Sequence, residues 1–179
     1  MVVPEIIELE NVILRKPILA DAKLILEFAS DPTTVKYMDW PLESNIKKIE
    51  ERILEKIQKW ENQSAFSWSI VKRDENKVIG TISIFPEKEK VEIGFVINRN
   101  YWNNGYATEC AKGILKVLSS IPEVTSVWAT CDCENKQSSK VLEKIGMEKD
   151  KILRDYCIRP NISSDKRDAY LFKMALTKR

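Results

Sequence analysis

Within the stretch VEIGFVINRNYWNNGYATECAKGILKVL, from Val91 to Leu118, the spacing of apolar residues switches from two to about 3.6. Val91, Ile93, Phe95 and Ile97 alternate with Glu92, Gly94 and Val96, as along a strand. From Ala107 onward Cys110, Ala111, Ile114, Leu115 and Leu118 recur at helical spacing. A strand that feeds a helix this directly requires a sheet with at least one helix packed on it. In the joining segment, Gly105 and Ala107 leave the first helical turn almost bare of side chain. A helix start carries unpaired backbone N–H groups and a partial positive charge, so an anion such as pyrophosphate can sit there. The same turn also reads as an ordinary connection in which Gly105 only supplies a turn conformation.

The flanking sequence extends this sheet in both directions. Glu8 to Lys16 predicts a first strand stopped by Pro17, and Ala20 to Ser30 a helix with Ala22, Ile25, Leu26 and Ala29 on one face. Asp31-Pro32 predicts its end. Ser44 is the expected N-cap of a second helix carrying the stripe Ile46, Ile49, Ile53, Ile57 and Trp60, which reads as core. Ala65–Lys72 and Lys77–Phe85 flank the polar turn Arg73-Asp74-Glu75-Asn76 as an antiparallel hairpin. After the central helix, Val124–Thr130 predicts a strand, Asn135 a helix start and Gly146 its end. Met147–Ile158 and Asp168–Leu176 predict two closing strands joined by RPNISSDKR. Three antiparallel strands thus precede a crossover helix that brings the next strand in parallel. The expected class is α+β: a mostly antiparallel mixed sheet of about seven strands flanked by about four helices. With 179 residues and no repeat, low-complexity tract or linker, residues 1–179 read as one domain.

Composition removes several function classes. A net charge of +2, with no face of interleaved aromatic and basic residues, argues against a nucleic-acid binder. No apolar run is long enough to cross a bilayer, and MVVPEIIELE lacks the basic and apolar regions of a signal peptide. A cytoplasmic protein, monomeric or homodimeric, is expected. Histidine is absent, and Cys131 and Cys133 stand as C-x-C, so neither a zinc site nor a thioredoxin-like pair is expected. Any acid or base must be a carboxylate, hydroxyl, thiol or amine.

Two motifs, EIGFVI…YWNNGYATE and NKQSSKVLEKIGM from Asn135 to Met147, together resemble the GNAT superfamily of acetyl-CoA-dependent N-acetyltransferases. Within it the chain is most similar to the ribosomal-protein N-acetyltransferase (RimJ/RimL-like) branch. The resemblance extends over nearly the whole chain, through the opening LRKP, the D-W-P stretch, W-S-I, I-G-T-I-S-I and a closing arginine-containing hairpin. It implies a sheet that splays beside the central strand, where the cofactor's pantetheine arm lies along Phe95, Val96 and Ile97 like an added strand. It implies that backbone N–H groups over Asn103, Asn104, Gly105, Tyr106, Ala107 and Thr108 hold the pyrophosphate. Either asparagine can take the left-handed backbone such a turn needs. Two asparagines stand where relatives carry a basic residue in this turn, leaving amide dipoles to hold the anion, with Arg99 a distant helper.

Asn135 reads as a helix cap and, by resemblance, as a partner of the cofactor's arm. Many relatives carry a tyrosine seven residues later that protonates the departing thiolate; here it is Leu142. In the ribosomal branch a serine takes that role, which falls on Ser138; its other reading is a small polar helix residue. Glu92 corresponds to a glutamate near the amine and reads either as general base or as a partly exposed strand residue, with Asp155 as fallback. Met38 and Trp40 (beside Pro41) and Tyr156 resemble the substrate-side wall. Cys157 reads as a buried strand cysteine, because the family transfers acetyl directly.

The resulting expectation is direct transfer of acetyl from acetyl-CoA to a primary amine: a protein N-terminus, a polyamine or another small amine. The alternative is a catalytically silent CoA-binding regulatory or interaction module. No metal takes part in either.

Overall fold

The structure, a computed structural model, describes residues 1–177. In chain order it runs β1 (Ile6–Glu8), β2 (Val12–Arg15), α1 (Ala22–Ala29), α2 (Pro32–Val35), α3 (Ile46–Glu61), β3 (Phe66–Lys72), β4 (Lys77–Glu87), β5 (Lys90–Ile97), α4 (Tyr106–Ser119), β6 (Ser126–Asp132), α5 (Lys136–Lys144), β7 (Glu148–Arg159) and β8 (Ser163–Ala175). The strands form one sheet in the order β1-β2-β3-β4-β5-β6-β8-β7. Neighbours are antiparallel except β5 and β6, which run parallel because α4 carries the chain back across the sheet.

The class is as the residue pattern predicts, and among the described residues eight strands and five α-helices exceed the expected numbers by one each. The extra strand appears because Glu8–Lys16 is not continuous. The chain folds back on itself, Leu9 N donating to Val12 O at 3.0 Å, and Ile6–Glu8 pairs with Ile13–Arg15. Glu109 of α4 holds that bend by accepting from the Asn11 backbone and side-chain amides at 2.8 and 3.0 Å. The extra helix is α2. Asp31-Pro32 ends α1 but also begins a new turn, with Asp31 Oδ2 accepting from Thr34 N at 2.8 Å and proline at the first position. Asn45, not Ser44, caps α3, its Oδ1 accepting from Lys47 N at 3.0 Å. β7 and β8 reach further than predicted, so the loop RPNISSDKR shrinks to a short turn.

Two apolar clusters hold the helices to the sheet. Ile114, Leu118 and Leu142, from α4 and α5, pack with Ile82, Ile84 and Phe172. Phe28, Ile49 and Ile53, from α1 and α3, pack with Val71 and Val78. The 3-10 turn Leu19–Asp21 is fastened to the sheet by one buried carboxylate. Asp21 accepts from Arg15 at 2.6 and 2.9 Å, Ser69 Oγ at 2.7 Å and Ile18 N at 3.1 Å. Burial alone would raise its pKa, but these donors hold it below the usual carboxylate value. No helix among the described residues is long and apolar enough to cross a membrane.

Candidate active site

β5 and β6 pair only over Lys90–Glu92 with Ser126–Trp128. Beyond Glu92, β5 continues on β4 alone, as far as Ile97 opposite Gly80. The backbone groups of Phe95–Ile97 that point away from β4 therefore face an opening in the sheet. Two cavities, of about 460 and about 530 Å³, meet there, sharing Tyr37, Met38, Phe95, Val96, Asn135 and Ser138 in their walls.

The larger cavity runs toward α4. Asn103, with φ of 63°, and Gly105, with φ of 83°, turn the chain through the left-handed region just before the helix. A Cβ on Gly105 would meet nothing within 4 Å, so the helix start faces open space. Asn103, Gly105, Tyr106, Ala107 and Thr108 line this cavity. Asn104 does not; its amide instead donates to Trp102 O at 2.9 Å and braces the turn from within. Trp102 donates from Nε1 to Ile97 O at 2.7 Å, tying the turn to the end of β5. Arg99 is turned aside, ion-paired to Asp31 at 3.4 Å and donating to Thr33 Oγ1 at 3.2 Å. The positive charge comes from elsewhere. Lys136, Lys140 and Lys144 of α5, together with Lys36, line the cavity. The lysine period of four along one helix was readable in the sequence, but only the fold shows which cavity that face borders.

The smaller cavity lies between α1, α3 and the sheet. Glu92, Met38 and Trp40 line it; Tyr156 lines neither cavity. Tyr156 instead stands near Glu92 and the Thr130 side chain, on an irregular stretch of β7 where Asp155 takes φ of 46°. The Glu92 carboxyl is pushed up to about 7, first by burial and then by the negative charges of Asp39 and Glu87, with Arg159 opposing them. It is thus half-ionised near neutrality, the condition for accepting and releasing a proton there. Asp155 is exposed and lines neither cavity; its backbone N donates to Asp168 at 3.1 Å.

Asn135 caps α5, its Oδ1 accepting from Ser138 N at 3.2 Å, and both residues lie where the cavities meet. Leu142 is buried in the core. The thiols of Cys131, Cys133 and Cys157 are all pushed up, chiefly by burial, so none is primed as a thiolate. Cys157 is half-buried rather than fully enclosed. Trp68 is core, its Nε1 donating to Pro4 O at 3.1 Å.

Three further residues had no sequence signal of their own. Asn161 donates from Nδ2 to the Val35 and Trp40 carbonyls at 2.8 and 2.9 Å and accepts from Leu42 N at 2.7 Å. It thereby binds the loop bearing Met38 and Trp40 to the β7–β8 turn. Arg52 adds a guanidinium over the Trp40 ring at 5.4 Å. Arg159, 8% exposed, lines the smaller cavity close to Glu92.

Residues 11–148 match the acetyltransferase (GNAT) domain family. The chain is 29% identical over 150 residues to the uncharacterized N-acetyltransferase p20 of Bacillus licheniformis, covering 82% of this chain and 84% of that one. A solved GNAT-family acetyltransferase from Bacillus anthracis is 25% identical, with a TM-score of 0.83 over 95% of this chain and 98% of that one. RimL, a ribosomal L7/L12 α-N-protein acetyltransferase solved with coenzyme A, shares the fold. Its TM-score is 0.86 at 13% identity, over 96% of this chain and 98% of that one.

Proposed function

The chain belongs to the GNAT family of acetyltransferases, and from that membership we propose that it moves acetyl directly from acetyl-CoA to a primary amine across the gap between β5 and β6. One observation carries this reading. The unpaired edge of β5 lies where a cavity bordered by the Gly105 turn meets one bordered by Glu92, with Ser138 at the junction. Donor and acceptor can each occupy one side and react at the shared wall.

On the donor side, Phe95, Val96 and Ile97 offer strand backbone to the amide-bearing arm of acetyl-CoA, and Asn135 offers its side chain. The backbone N–H groups of Asn103, Gly105, Tyr106, Ala107 and Thr108, which border the cavity, suit the pyrophosphate. The lysines of α5 add the charge that the asparagine-rich turn lacks. Acetyl-CoA supplies the activated acyl group; the protein supplies position and polarity.

On the acceptor side, Glu92 takes the proton that the ammonium must lose before its nitrogen can attack. β5 backbone N–H groups stabilise the oxygen that gains charge, and the Ser138 hydroxyl protonates the sulfur as the C–S bond breaks. Met38 and Trp40 wall the acceptor, while Tyr156 stands outside both cavities, near Glu92. The acceptor class comprises protein N-termini, polyamines and small amines. The four free thiols suit a reducing compartment, and we place the reaction in the cytoplasm.

Purified protein, acetyl-CoA and a panel of amines from these three groups test the reading by release of free thiol. Transfer to at least one group is expected. Coenzyme A binding with no transfer across the panel would instead favour the silent module.

A further inference from the structure

Arg159 has no task in the transfer as described, yet it is one of the least exposed charged residues of the chain. It ends β7 and lines the acceptor cavity. The buried carboxylate whose charge it shares, Asp132, is already occupied. Arg167 donates to it from Nε at 2.7 Å and Nη2 at 3.1 Å, and Glu134 N adds a third bond at 2.9 Å. Among the described residues, the Arg159 guanidinium has neither an ion pair nor a hydrogen-bonded partner. No fully buried side-chain nitrogen or oxygen among the described residues lacks a partner, so the Arg159 nitrogens keep some exposed surface on a residue that lines the cavity. Glu92 is near enough to feel its charge without being bonded to it.

A guanidinium withdrawn from bulk water and left unpaired is costly, and the cost is offset when an anion fills its donors. Its planar fork matches a carboxylate in two parallel bonds. A base for an ammonium and an open fork for an anion, on one cavity, suit a molecule carrying both charges. We propose that Arg159 binds a carboxylate of the acceptor, so that the acceptor is a free amino acid rather than a polyamine or a protein N-terminus. A polyamine would bring a second cation toward Arg159. A protein N-terminus has an amide where a free amino acid has its α-carboxylate.

This inference rests on the acetyl-transfer reading, and its test separates the two. Thiol release from acetyl-CoA is followed with each of the twenty protein amino acids and its carboxamide, using wild type, Arg159→Gln and Arg159→Lys. For the accepted side chain, the free acid is expected to exceed its amide in kcat/KM by about tenfold or more. Arg159→Gln is expected to remove that preference, lowering kcat/KM on the acid by the same factor of about tenfold or more, mainly through KM, while the amide, assayed well above the Glu92 inflection so that loss of the arginine's charge does not alter the base, changes far less. Arg159→Lys should recover part of it. Amides as good as acids, or equal losses on both, would overturn the assignment. Calorimetric titration of the same acids and amides into CoA-loaded wild type gives a second reading that needs neither variant nor turnover. Preferential binding of the acid supports Arg159 as carboxylate receptor even if no transfer occurs, in which case only the transfer reading falls. Equal or no binding of both rejects it.

Discussion

Glu92 could not be resolved by residue pattern, because its charge state is set first by burial and then by the charges of Asp39, Glu87 and Arg159, which only the fold brings around it. As the proposed base it must be ionised, so kcat/KM should rise with pH, about tenfold per unit, up to about 7, and level off above. Glu92→Gln should remove this inflection and lower kcat/KM by about 10²–10³-fold. Stability runs in the opposite sense. The folded value of about 7 lies above the ordinary 4.5, so folding favours the protonated form. The stabilising contribution is complete below the unfolded value and is lost as pH rises from there through the folded one. Glu92→Gln should therefore be more stable than wild type by about 2–3 kcal/mol at pH 8 and close to it at pH 5, as urea melts would show. A Gln variant weaker at both would mean that the carboxylate has a structural partner. Ser138, the proposed acid, was easier to place beside the cleft, since its position depends only on Asn135 three residues earlier and on the resemblance. Ser138→Ala should lower kcat about 10–100-fold with coenzyme A affinity unchanged, and an unaltered kcat would remove the hydroxyl from the mechanism.

Elements were legible where their pattern is local and obscure where a distant partner decides. β3, β4, β5 and α4 follow from alternation and helical spacing, and their boundaries agree within a few residues. The bend between β1 and β2 did not, because Leu9–Asn11 is held by Glu109, on a helix far along the chain. The loop bearing Met38 and Trp40, proposed as the acceptor wall, was legible in composition but not in attachment. Asn161 fastens Val35, Trp40 and Leu42 to the β7–β8 turn with three hydrogen bonds, and nothing in N-I-S-S announces this. Asn161→Ala frees that loop and leaves two carbonyls to find other donors. Stability should fall by about 1–3 kcal/mol, and KM for the amine should rise severalfold while coenzyme A affinity holds. Equal weakening of both ligands would show that the loop serves the donor side as well. Gly80 makes a different demand. A Cβ there would stand 2.3 Å from Val96 O, so β4 must carry glycine for β5 to lie where its far edge faces the opening. Gly80→Ala should shift β5, and coenzyme A affinity and thermal stability should both decline. Retention of both would mean that the strand yields without cost.

At the scale of the whole molecule, the sheet is interrupted at its centre. Three residues of parallel pairing are all that join β5 to β6, and beyond them the strand edge, the Gly105 turn and the lysine face of α5 border one open space. A ligand that touches all three adds cohesion the chain lacks alone, and any binding confined to the folded state raises stability by mass action. At coenzyme A concentrations about 100 times Kd the gain is about 2.7 kcal/mol, which in a chain of 179 residues corresponds to a rise in Tm of about 5–10 °C. The rise should shrink with added salt, because part of the attraction comes from lysines on an exposed helix face. Gly105→Asp should abolish it. Nothing lies within 4 Å of a Cβ at that position, so the variant bears only the strain of a φ of 83°, about 1 kcal/mol, and still folds. Its carboxylate would then stand where the pyrophosphate must approach. Differential scanning calorimetry with and without coenzyme A reads both effects. A folded Gly105→Asp protein that coenzyme A stabilises as much as wild type would show that the helix start is not the phosphate site, and the donor side of the cleft would have to be sought elsewhere.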